Sequence, residues 1–321
     1  MFFFASFAFS TLYTSLTEEK SFLSWMRNTN NFYTGDEYNL RFGIYLANKK
    51  YVEQFNRAGK SFTLALNKFA CYTPAEYNAM LGIKTSFTLE GRKVAKRITA
   101  VSDVPDNFDY REKGCVNDVK DQSSCGGCWA FSAIQAQETT DAIKTGKLLR
   151  LSESNLIDCA NIEFTGFHGG WPDKALLYVI KEQQGKFCLD SDYAYRPYAE
   201  NCQFDSKEHY SSISDVQFIP RDEENMKVHL ATIGALSICV DASHASFQLY
   251  NTGVYEEPGC TKGLYNHAVG CVGYGVDGDL NKAYWIVRNS WGPSWGESGY
   301  IRFFRGADTC NIADAASYSI Y

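Results

Sequence analysis

A stretch without helical or strand periodicity, residues 84–103, divides this chain of 321 residues into two parts. It carries the basic clusters Gly91-Arg92-Lys93 and Lys96-Arg97, which are typical of an exposed, cleavable linker. Residues 1–103 hold 13 Lys and Arg against 8 Asp and Glu, whereas residues 104–321 hold 18 against 29. The two parts therefore have net charges of +5 and −11. Either they attract each other, or they are two separately solvated surfaces.

The first part has mainly helical periodicity. Apolar residues at three- and four-residue spacings predict two amphipathic helices between residues 18 and 56. Alternation over residues 61–69 indicates a short strand, and a third helix is expected after Pro74. A domain boundary is expected within the stretch that follows, with the second domain starting at residue 104.

The second part has helices first and strands later. Helices are predicted over residues 129–144, where Gly146 is the stop signal, and over residues 172–183, where Pro lies in the first turn. This order indicates an α+β domain of two lobes, with antiparallel strands in the second lobe. The predicted strands cover residues 236–240, 268–274, 283–289 and 300–304.

Composition excludes several classes of function. A net charge of −6 and a pI near 5.5 give no basic field for a phosphate backbone, so no nucleic-acid partner is expected. The longest apolar run, residues 2–9, is far shorter than the roughly 20 residues of a membrane-spanning helix, so no membrane anchor is expected. We interpret residues 1–15 as a signal peptide, the alternative being a buried N-terminal segment. Eleven cysteines point to an oxidising compartment.

The stretch most suggestive of chemistry is a Gly-rich turn, residues 121–127, that leads into a predicted helix. Cys128 falls in the first turn of that helix, where the helix dipole and free N–H groups stabilise an anion. We therefore expect a lowered thiol pKa and an available thiolate. His267, at the start of a predicted strand, is the candidate for its acid–base partner.

Four motifs in order resemble those of the papain family of cysteine proteases, nearest to its cathepsin L-like members. They are Gln122-Ser-Ser-Cys-Gly-Gly-Cys-Trp-Ala-Phe-Ser132, Asn266-His-Ala-Val269, Asn289-Ser-Trp-Gly292 and Trp295-Gly-Glu-Ser-Gly-Tyr-Ile-Arg302. The resemblance implies a papain-like two-lobed fold over residues 104–321, with a helical lobe and an antiparallel, barrel-like lobe. Gly127 stands where the family usually has Ser or Ala, which loosens the turn without removing a catalytic group.

The resemblance also implies the catalytic roles. Cys128 would be the nucleophile, and His267 the base and acid that forms an ion pair with it. Asn289 would orient the imidazole, and Trp291 would shield their contact from water. The Gln122 side chain and the Cys128 N–H would form the oxyanion hole. No metal and no cofactor are implied.

Residues 16–103 resemble the inhibitory pro-segment of the same family. The chain would therefore be an inactive zymogen whose pro-segment is an intramolecular inhibitor, and acid would weaken the attraction between the two charged parts. Cys71 replaces an acid of the second motif, and that acid could sense pH. The helix motif is carried by Glu37, Arg41, Tyr45, Asn48, Val52 and Asn56, and the second motif by Ala65, Asn67, Phe69 and Cys71.

Cysteine pairing departs from the family pattern at one bridge. The resemblance implies disulfides between Cys159 and Cys202 and between Cys260 and Cys310. The family partner of Cys125 is missing, because Phe167 stands where that cysteine would be. Cys115 and Cys188 are the alternatives, and the sequence does not choose between them or a free Cys125 thiol.

Substrate preference follows from the groove positions that the resemblance assigns. Gly169 and Gly170 should let a substrate backbone approach closely. The S2 pocket, which receives the P2 side chain two residues before the scissile carbonyl, should be apolar and prefer a hydrophobic P2 residue over Arg. Without an insertion that could block the groove, endopeptidase activity is expected. The lining residues implied are Trp171, Pro172, Cys239, Tyr265 and Ala315.

The family further implies protein and peptide substrates, cystatin-like inhibitors, a monomer, and a lysosome-like compartment or secretion. Three rival functions were weighed. Cys125-Gly-Gly-Cys128 could be a redox motif, but a strand-helix-strand context is missing. Structural zinc would need a second paired motif. A catalytically silent papain-like binding or storage protein is the more serious rival, and the four intact catalytic positions argue against it.

Overall fold

The computed structural model describes residues 16–84, 86–98, 104–160 and 166–321. The signal peptide predicted for residues 1–15 lies outside these residues, as do residues 99–103 of the linker. Within the described ranges, no helix has the length and apolar character needed to cross a membrane.

Two helices form the body of the N-terminal part, as the apolar spacing predicted. They are α1, residues 16–28, and α2, Gly35–Arg57. The ring of Phe22 on α1 lies 5.2 Å from the rings of both Tyr38 and Tyr45 on α2. Trp25 follows on the same face, and its indole N–H donates to the carbonyl of Leu66 at 3.1 Å. An aromatic seam therefore joins the helices to each other and to the segment after them.

A capping box starts α3, Pro74–Met80, and an ion pair ties it to α2. The Thr73 hydroxyl accepts from the Glu76 N–H at 3.2 Å, and the Glu76 carboxylate accepts from the Thr73 N–H at 2.8 Å. Arg41 on α2 lies 2.5 Å from that carboxylate, and its hydrogen bonds lower the pKa of Glu76 to about 2. Cys71 is a fully buried thiol whose pKa burial raises to about 12. The charged partner of Arg41 is thus Glu76, while Cys71 offers only its carbonyl, at 2.8 Å.

The helical lobe of the second part is built from α4 (Cys128–Thr145), α5 (Glu153–Cys159) and α6 (Pro172–Glu182). Gly146 ends α4 in the left-handed conformation, with φ of 71°. Every residue of α4 from Cys128 to Ala142 is buried, because the helix packs against both its own lobe and the sheet.

The second lobe is a twisted sheet in which β6 is central. β6 pairs antiparallel with both β7 and β4, so that the start of β6 and the end of β7 lie side by side. Among the described strands the order is β1-β5-β8-β7-β6-β4-β9-β3, with β2 on β6. The strands are β1 (Phe62–Leu64), β2 (Phe108–Asp109), β3 (Asp215–Phe218), β4 (Leu236–Val240), β5 (Tyr250–Tyr255), β6 (His267–Asp277), β7 (Lys282–Arg288), β8 (Tyr300–Phe304) and β9 (Ser317–Ile320).

The four strands predicted for the second part are present as β4, β6, β7 and β8 and pair antiparallel with one another. Two further features of this part were not predicted. β5 pairs with β8 in parallel. β8 is antiparallel to β7 and β7 is antiparallel to β6, so β8 runs in the same direction as β6 and β5. Two helices, α7 (Glu223–Thr232) and α8 (Ala245–Gln248), occur among the strands, and α5 of the helical lobe was also not predicted. All three helices are short, so they are stabilised by tertiary packing and do not have a long apolar period.

The N-terminal part lies against the second part through charge and through apolar contact. β1 extends the sheet by pairing with β5, and Phe62 stacks 4.8 Å from Tyr255. In each of four ion pairs, the cation belongs to the N-terminal part. The attraction between the two parts is therefore the correct alternative. The pairs are Lys68–Asp121 at 2.6 Å, Arg92–Asp173 at 2.7 Å, Lys93–Asp215 at 2.7 Å and Arg97–Asp222 at 2.5 Å.

Residues 86–98 were expected to belong to an exposed, cleavable linker, and Gly91, Lys93, Lys96 and Arg97 of its basic clusters are exposed. The segment nevertheless contacts the second part of the chain at several points. Phe87 is half-buried and packs between the two lobes, against Trp171 of the helical lobe and Phe218 and Tyr265 of the sheet lobe. Val94 bridges in parallel to Phe218 of the edge strand β3, whose N–H donates to the carbonyl of Lys93 at 2.8 Å. The segment therefore lies along the surface of the second part and completes its sheet edge.

We predict that Glu76→Gln weakens the pro-domain at neutral pH and removes part of its acid sensitivity. Because Arg41 lowers the pKa of Glu76 from 4.5 to about 2, the pair stabilises the folded state above about pH 4.5. That contribution is lost as the pH falls toward 2. In a Cys128→Ala background, which prevents self-processing, thermal unfolding at pH 6 should shift down by a few degrees.

Glu37→Gln is the matched control, because Glu37 is an exposed second partner of Arg41 at 3.3 Å. It should shift the midpoint much less. Equal shifts for the two variants, or an unchanged pH profile for Glu76→Gln, would contradict the role given to Glu76.

Candidate active site

Cys128 lies at the first position of α4 and is completely buried. Its sulfur accepts from two backbone N–H groups, that of Gly82 at 3.2 Å and that of Ala268 at 3.4 Å. Gly82 belongs to the N-terminal part, and Ala268 is the second residue of β6. The sulfur is therefore enclosed between the enzyme and its own pro-segment.

His267 and Asn289 meet beside this sulfur because β6 and β7 are paired. His267 begins β6, Asn289 follows β7, and the His267 Nε2 lies 2.9 Å from the Asn289 Oδ1. The His267 Nδ1 has no hydrogen-bond partner among the described residues. The ring of Trp291 lies 4.8 Å from the imidazole and covers this pair.

The expectation of a low-pKa thiol at Cys128 was wrong for this covered state. Burial raises the pKa of Cys128 to about 11, although the N–H groups of Ala268 and Gly82 oppose the shift. Burial likewise lowers the pKa of His267 to about 4, against a smaller effect of Asn289. Between these values the pair is a neutral thiol and a neutral imidazole. Burial in the covered site thus outweighs the effect of the helix N-terminus on the Cys128 pKa.

The side-chain amide of Gln122, the predicted oxyanion donor, contacts a carbonyl group of the pro-segment. Its Nε2 donates to the carbonyl of Met80 at 2.8 Å and to that of Cys125 at 2.6 Å. Its Oε1 accepts from the Ser290 hydroxyl at 2.6 Å, which fixes the amide orientation. Ser290 was not among the predicted site residues, although its place between Asn289 and Trp291 could have indicated it.

Where the pro-segment crosses the nucleophile, the group that contacts the Cys128 sulfur is the N–H of Gly82. The Gly82 carbonyl accepts from the Gly170 N–H at 2.9 Å, and the Ile83 N–H donates to the Asn266 carbonyl at 3.1 Å. A Cβ at residue 82 would lie 2.0 Å from the carbonyl oxygen of Gly126. Glycine is therefore required at this crossing, and no carbonyl is presented for attack by Cys128.

The two glycines of the groove have different roles. A Cβ at Gly169, where φ is 115°, would meet the Gly82 carbonyl oxygen at 2.9 Å, so this glycine does allow a close backbone approach. A Cβ at Gly170 would instead meet the Trp129 ring at 2.7 Å. Gly170 thus makes room for an indole of the helical lobe, and only its N–H serves the groove.

The residues predicted for the S2 pocket are all buried and share one region of the groove. Phe87 of the pro-segment stacks there, with its ring 5.1 Å from that of Trp171 and 5.5 Å from that of Tyr265. Pro172 is in the first turn of α6. Trp171, Cys239, Tyr265 and Ala315 belong to the same apolar cluster as Cys128.

Disulfides join Cys159 to Cys202 and Cys260 to Cys310, the two pairs implied by the family resemblance. Cys115, Cys125 and Cys188 are thiols, so neither alternative partner bridges Cys125. The Cys125 thiol instead donates to the Pro197 carbonyl at 2.8 Å.

One group of metal-ligand side chains comes together in the described part of the chain: Asp241, His244 and Cys260. The Cys260 sulfur is in a disulfide and offers no thiolate. This group therefore has two effective ligands, which is too few for a zinc site.

Comparison with known proteins agrees with this geometry. Residues 104–320 match the papain family of cysteine proteases, and residues 22–77 match the cathepsin propeptide inhibitor domain (I29). The chain belongs to the papain family of cysteine proteases, and it is a precursor with an inhibitory pro-domain.

The similarity to individual relatives extends over nearly the whole chain. The chain is 38% identical over 318 residues to procathepsin L of Felis catus, covering 96% of this chain and 93% of that protein. It is 38% identical over 294 residues to digestive cysteine proteinase 1 of Homarus americanus, covering 88% of each. Digestive procathepsin L2 proteinase from Tenebrio molitor larval midgut has a TM-score of 0.88 at 31% identity, covering 95% of this chain and all of that one. The papain-like α+β fold and the cathepsin L-like zymogen are thereby confirmed.

We predict that Gly82→Ala loosens the pro-segment over Cys128, because its methyl group cannot fit against the Gly126 carbonyl. At neutral pH the variant precursor should react with an epoxide inhibitor of cysteine proteases at least about tenfold faster than the wild-type precursor, since a defect of about 1.4 kcal/mol raises the open population tenfold. Mass spectrometry of the Cys128 peptide measures the labelling.

Gly43→Ala is the control, because Gly43 lies inside α2 with open space around its Cβ position. It should leave the labelling rate unchanged and slightly stabilise the helix. Slow labelling of both variants would show that the contact at Gly82 does not hold the site closed.

Proposed function

We propose that, once the pro-segment is removed, Cys128 attacks the carbonyl carbon of a substrate peptide bond. His267 takes the thiol proton through Nδ1 and later gives a proton to the leaving amine. The resulting acyl-enzyme is hydrolysed by water, for which His267 is again the base. Asn289 holds the imidazole by its Nε2–H, and the Trp291 ring keeps water from that contact.

The observation that carries this proposal is the occupation of the site by the pro-segment itself. Gln122 donates to a carbonyl oxygen, that of Met80, at the place where an oxyanion would need a donor. Two residues further along, Gly82 presents an N–H to the sulfur. The site therefore holds a peptide backbone by hydrogen bonds at both Gln122 and Cys128, and the group that contacts the sulfur is an N–H.

The proposed substrate preference rests on the place that the Phe87 side chain of the pro-segment takes in the groove. Phe87 fills the space between Trp171 and Tyr265, so an aliphatic or aromatic P2 side chain has apolar walls to pack against. We infer an endopeptidase, because the sequence has no long insertion between Gly170 and Asp215 that could block one end of the groove. Protein and peptide substrates follow from the family.

The cellular setting is proposed more coarsely. A lysosome-like compartment or secretion is supported by two disulfides and by the digestive relative from Homarus americanus. Cystatin-like inhibitors as partners and a monomeric state are proposed from the family. The catalytically silent alternative has no support from the comparisons, since the relatives named above are proteinases or their precursors.

Two substitutions test the catalytic roles. Cys128→Ala should abolish peptide hydrolysis and leave the chain as an uncleaved precursor, because the nucleophile is lost. Asn289→Ala should lower kcat/KM by a smaller factor, about ten- to a thousandfold, because His267 remains but is no longer oriented. Kinetics on a peptide with Leu at P2, in the presence of reductant, measures both effects.

Turnover by the Cys128→Ala protein at the wild-type rate would refute the proposed mechanism. A loss in Asn289→Ala as large as that in Cys128→Ala would contradict the supporting role of Asn289.

A further inference from the structure

Asp173 is a buried carboxylate of the enzyme part that is paired with a cation of the pro-segment. It lies in the first turn of α6, directly after Trp171 and Pro172, and is 2% exposed. Its Oδ2 accepts from the Arg92 Nε at 2.7 Å, and its Oδ1 accepts from the Arg92 Nη2 at 3.5 Å. Among the residues with described positions, Arg92 is the one ion-pair partner of Asp173.

The Arg92 guanidinium also lies between aromatic rings, two of which belong to the enzyme. Its carbon is 5.6 Å from the ring centre of Trp171 and 5.5 Å from that of Phe218. The third ring, Phe87 at 5.0 Å, belongs to the pro-segment. A planar guanidinium is favoured where aromatic rings surround it and a carboxylate accepts its hydrogen bonds. Because Arg92 reaches both oxygens of Asp173, this position suits Arg better than Lys.

This cation position adjoins the predicted S2 pocket. Phe87 stacks on Trp171 and Tyr265 and lies 5.4 Å from Phe218, so its ring and the Arg92 guanidinium share two of the same walls. The sequence had indicated a pocket without a buried charge. The structure places the Asp173 carboxylate directly behind its wall, at 3% side-chain exposure.

Removal of the pro-segment takes away Phe87 and Arg92 together, whereas Asp173, Trp171 and Phe218 stay. The position that Arg92 occupies against the carboxylate is then open to a cationic side chain of a bound substrate. We propose that Asp173, Trp171 and Phe218 form a cation subsite of the mature enzyme, which takes an arginine side chain at P2 or P3 of the substrate. This inference rests on the proposed protease function and refines its specificity: apolar P2 residues remain preferred, and Arg is favoured over an uncharged side chain of the same shape.

The test compares matched peptides on the processed enzyme at low salt. One pair carries Arg or citrulline at P3 with Leu at P2, and the second pair carries Arg or citrulline at P2. At one of the two positions, kcat/KM should be about tenfold higher for Arg than for citrulline, with Lys in between. Asp173→Asn should bring this ratio close to one. Because the ratio is taken within one variant, a change in its overall activity cancels.

Asp215→Asn is the control, since Asp215 is also an aspartate paired with the pro-segment, through Lys93, but lies on the edge strand outside the groove. It should keep the wild-type ratio. If Asp173→Asn does not fold or mature, the salt dependence of the wild-type ratio decides, because screening should lower it.

A ratio near one at both positions in the wild-type enzyme, with normal turnover of the P2-Leu peptide, would overturn the subsite. Absence of turnover for every peptide, P2-Leu included, would instead contradict the proposed function. A ratio that stays high in Asp173→Asn would show that another group recognises the arginine and would also overturn the assignment.

Discussion

The contact of the Gly82 backbone with the Cys128 sulfur is the constraint on which the precursor depends. It allows no side chain at residue 82, because the carbonyl of Gly126 lies directly against it. Burial of the covered site leaves the nucleophile as a thiol and His267 as a neutral imidazole, although the Gly82 N–H itself acts to lower the pKa of the thiol. The same residues that would form an ion pair in an open groove are thus uncharged in the closed one. Covering of the groove by the pro-segment therefore accounts both for the inhibition of the precursor and for the uncharged state of Cys128 and His267.

The pro-segment is held over this contact by forces of different kinds. Three of its four ion pairs with the enzyme are partly exposed, and each of these should contribute at most about 1 kcal/mol. The pair of Arg92 with Asp173 is buried and stacked on aromatic rings, so its loss would leave a charge in an enclosed place. Aromatic contacts also stabilise the attachment of the pro-segment, and salt does not screen them. One example is the pair Phe69 and Trp291, whose ring centres are 5.1 Å apart. The charge difference between the two parts therefore accounts for only some of the attachment.

Much of the site could be predicted from sequence, because its residues lie in contiguous motifs. Cys128, His267 and Asn289 were identified in this way, and the strand pairing of β6 with β7 brings the last two together. The pKa directions could not be predicted, because they depend on burial in the folded chain, where residues as distant in sequence as Gly82, 46 positions from Cys128, come to lie on the site. The contacts of Phe87 were not predicted either, because its partners Trp171, Phe218 and Tyr265 are distant in sequence. A stretch without periodicity gives no local sign that one of its residues binds in a groove.

The short helices and the parallel pairing of β5 with β8 show another limit. Local spacing carries little information about α5 and α7, which are only 7 and 10 residues long. Their N-caps, Ser152 and Asp222, were the usable signals, since each side chain accepts from the backbone three residues on. The direction of β5 relative to β8 depends on the whole course of the chain between them and has no local signature.

The most direct test of this account is the ultraviolet absorbance of the Cys128 thiolate at pH 7, before and after removal of the pro-segment. The reference is the Cys128→Ala protein, processed in trans by a trace of active enzyme. With a thiol pKa of about 11 and a His267 pKa of about 4, the precursor should show no thiolate signal, and the processed enzyme should gain one as burial is relieved and the ion pair forms. A precursor with the same thiolate signal as the processed enzyme would contradict the central claim that the pro-segment keeps the catalytic pair neutral.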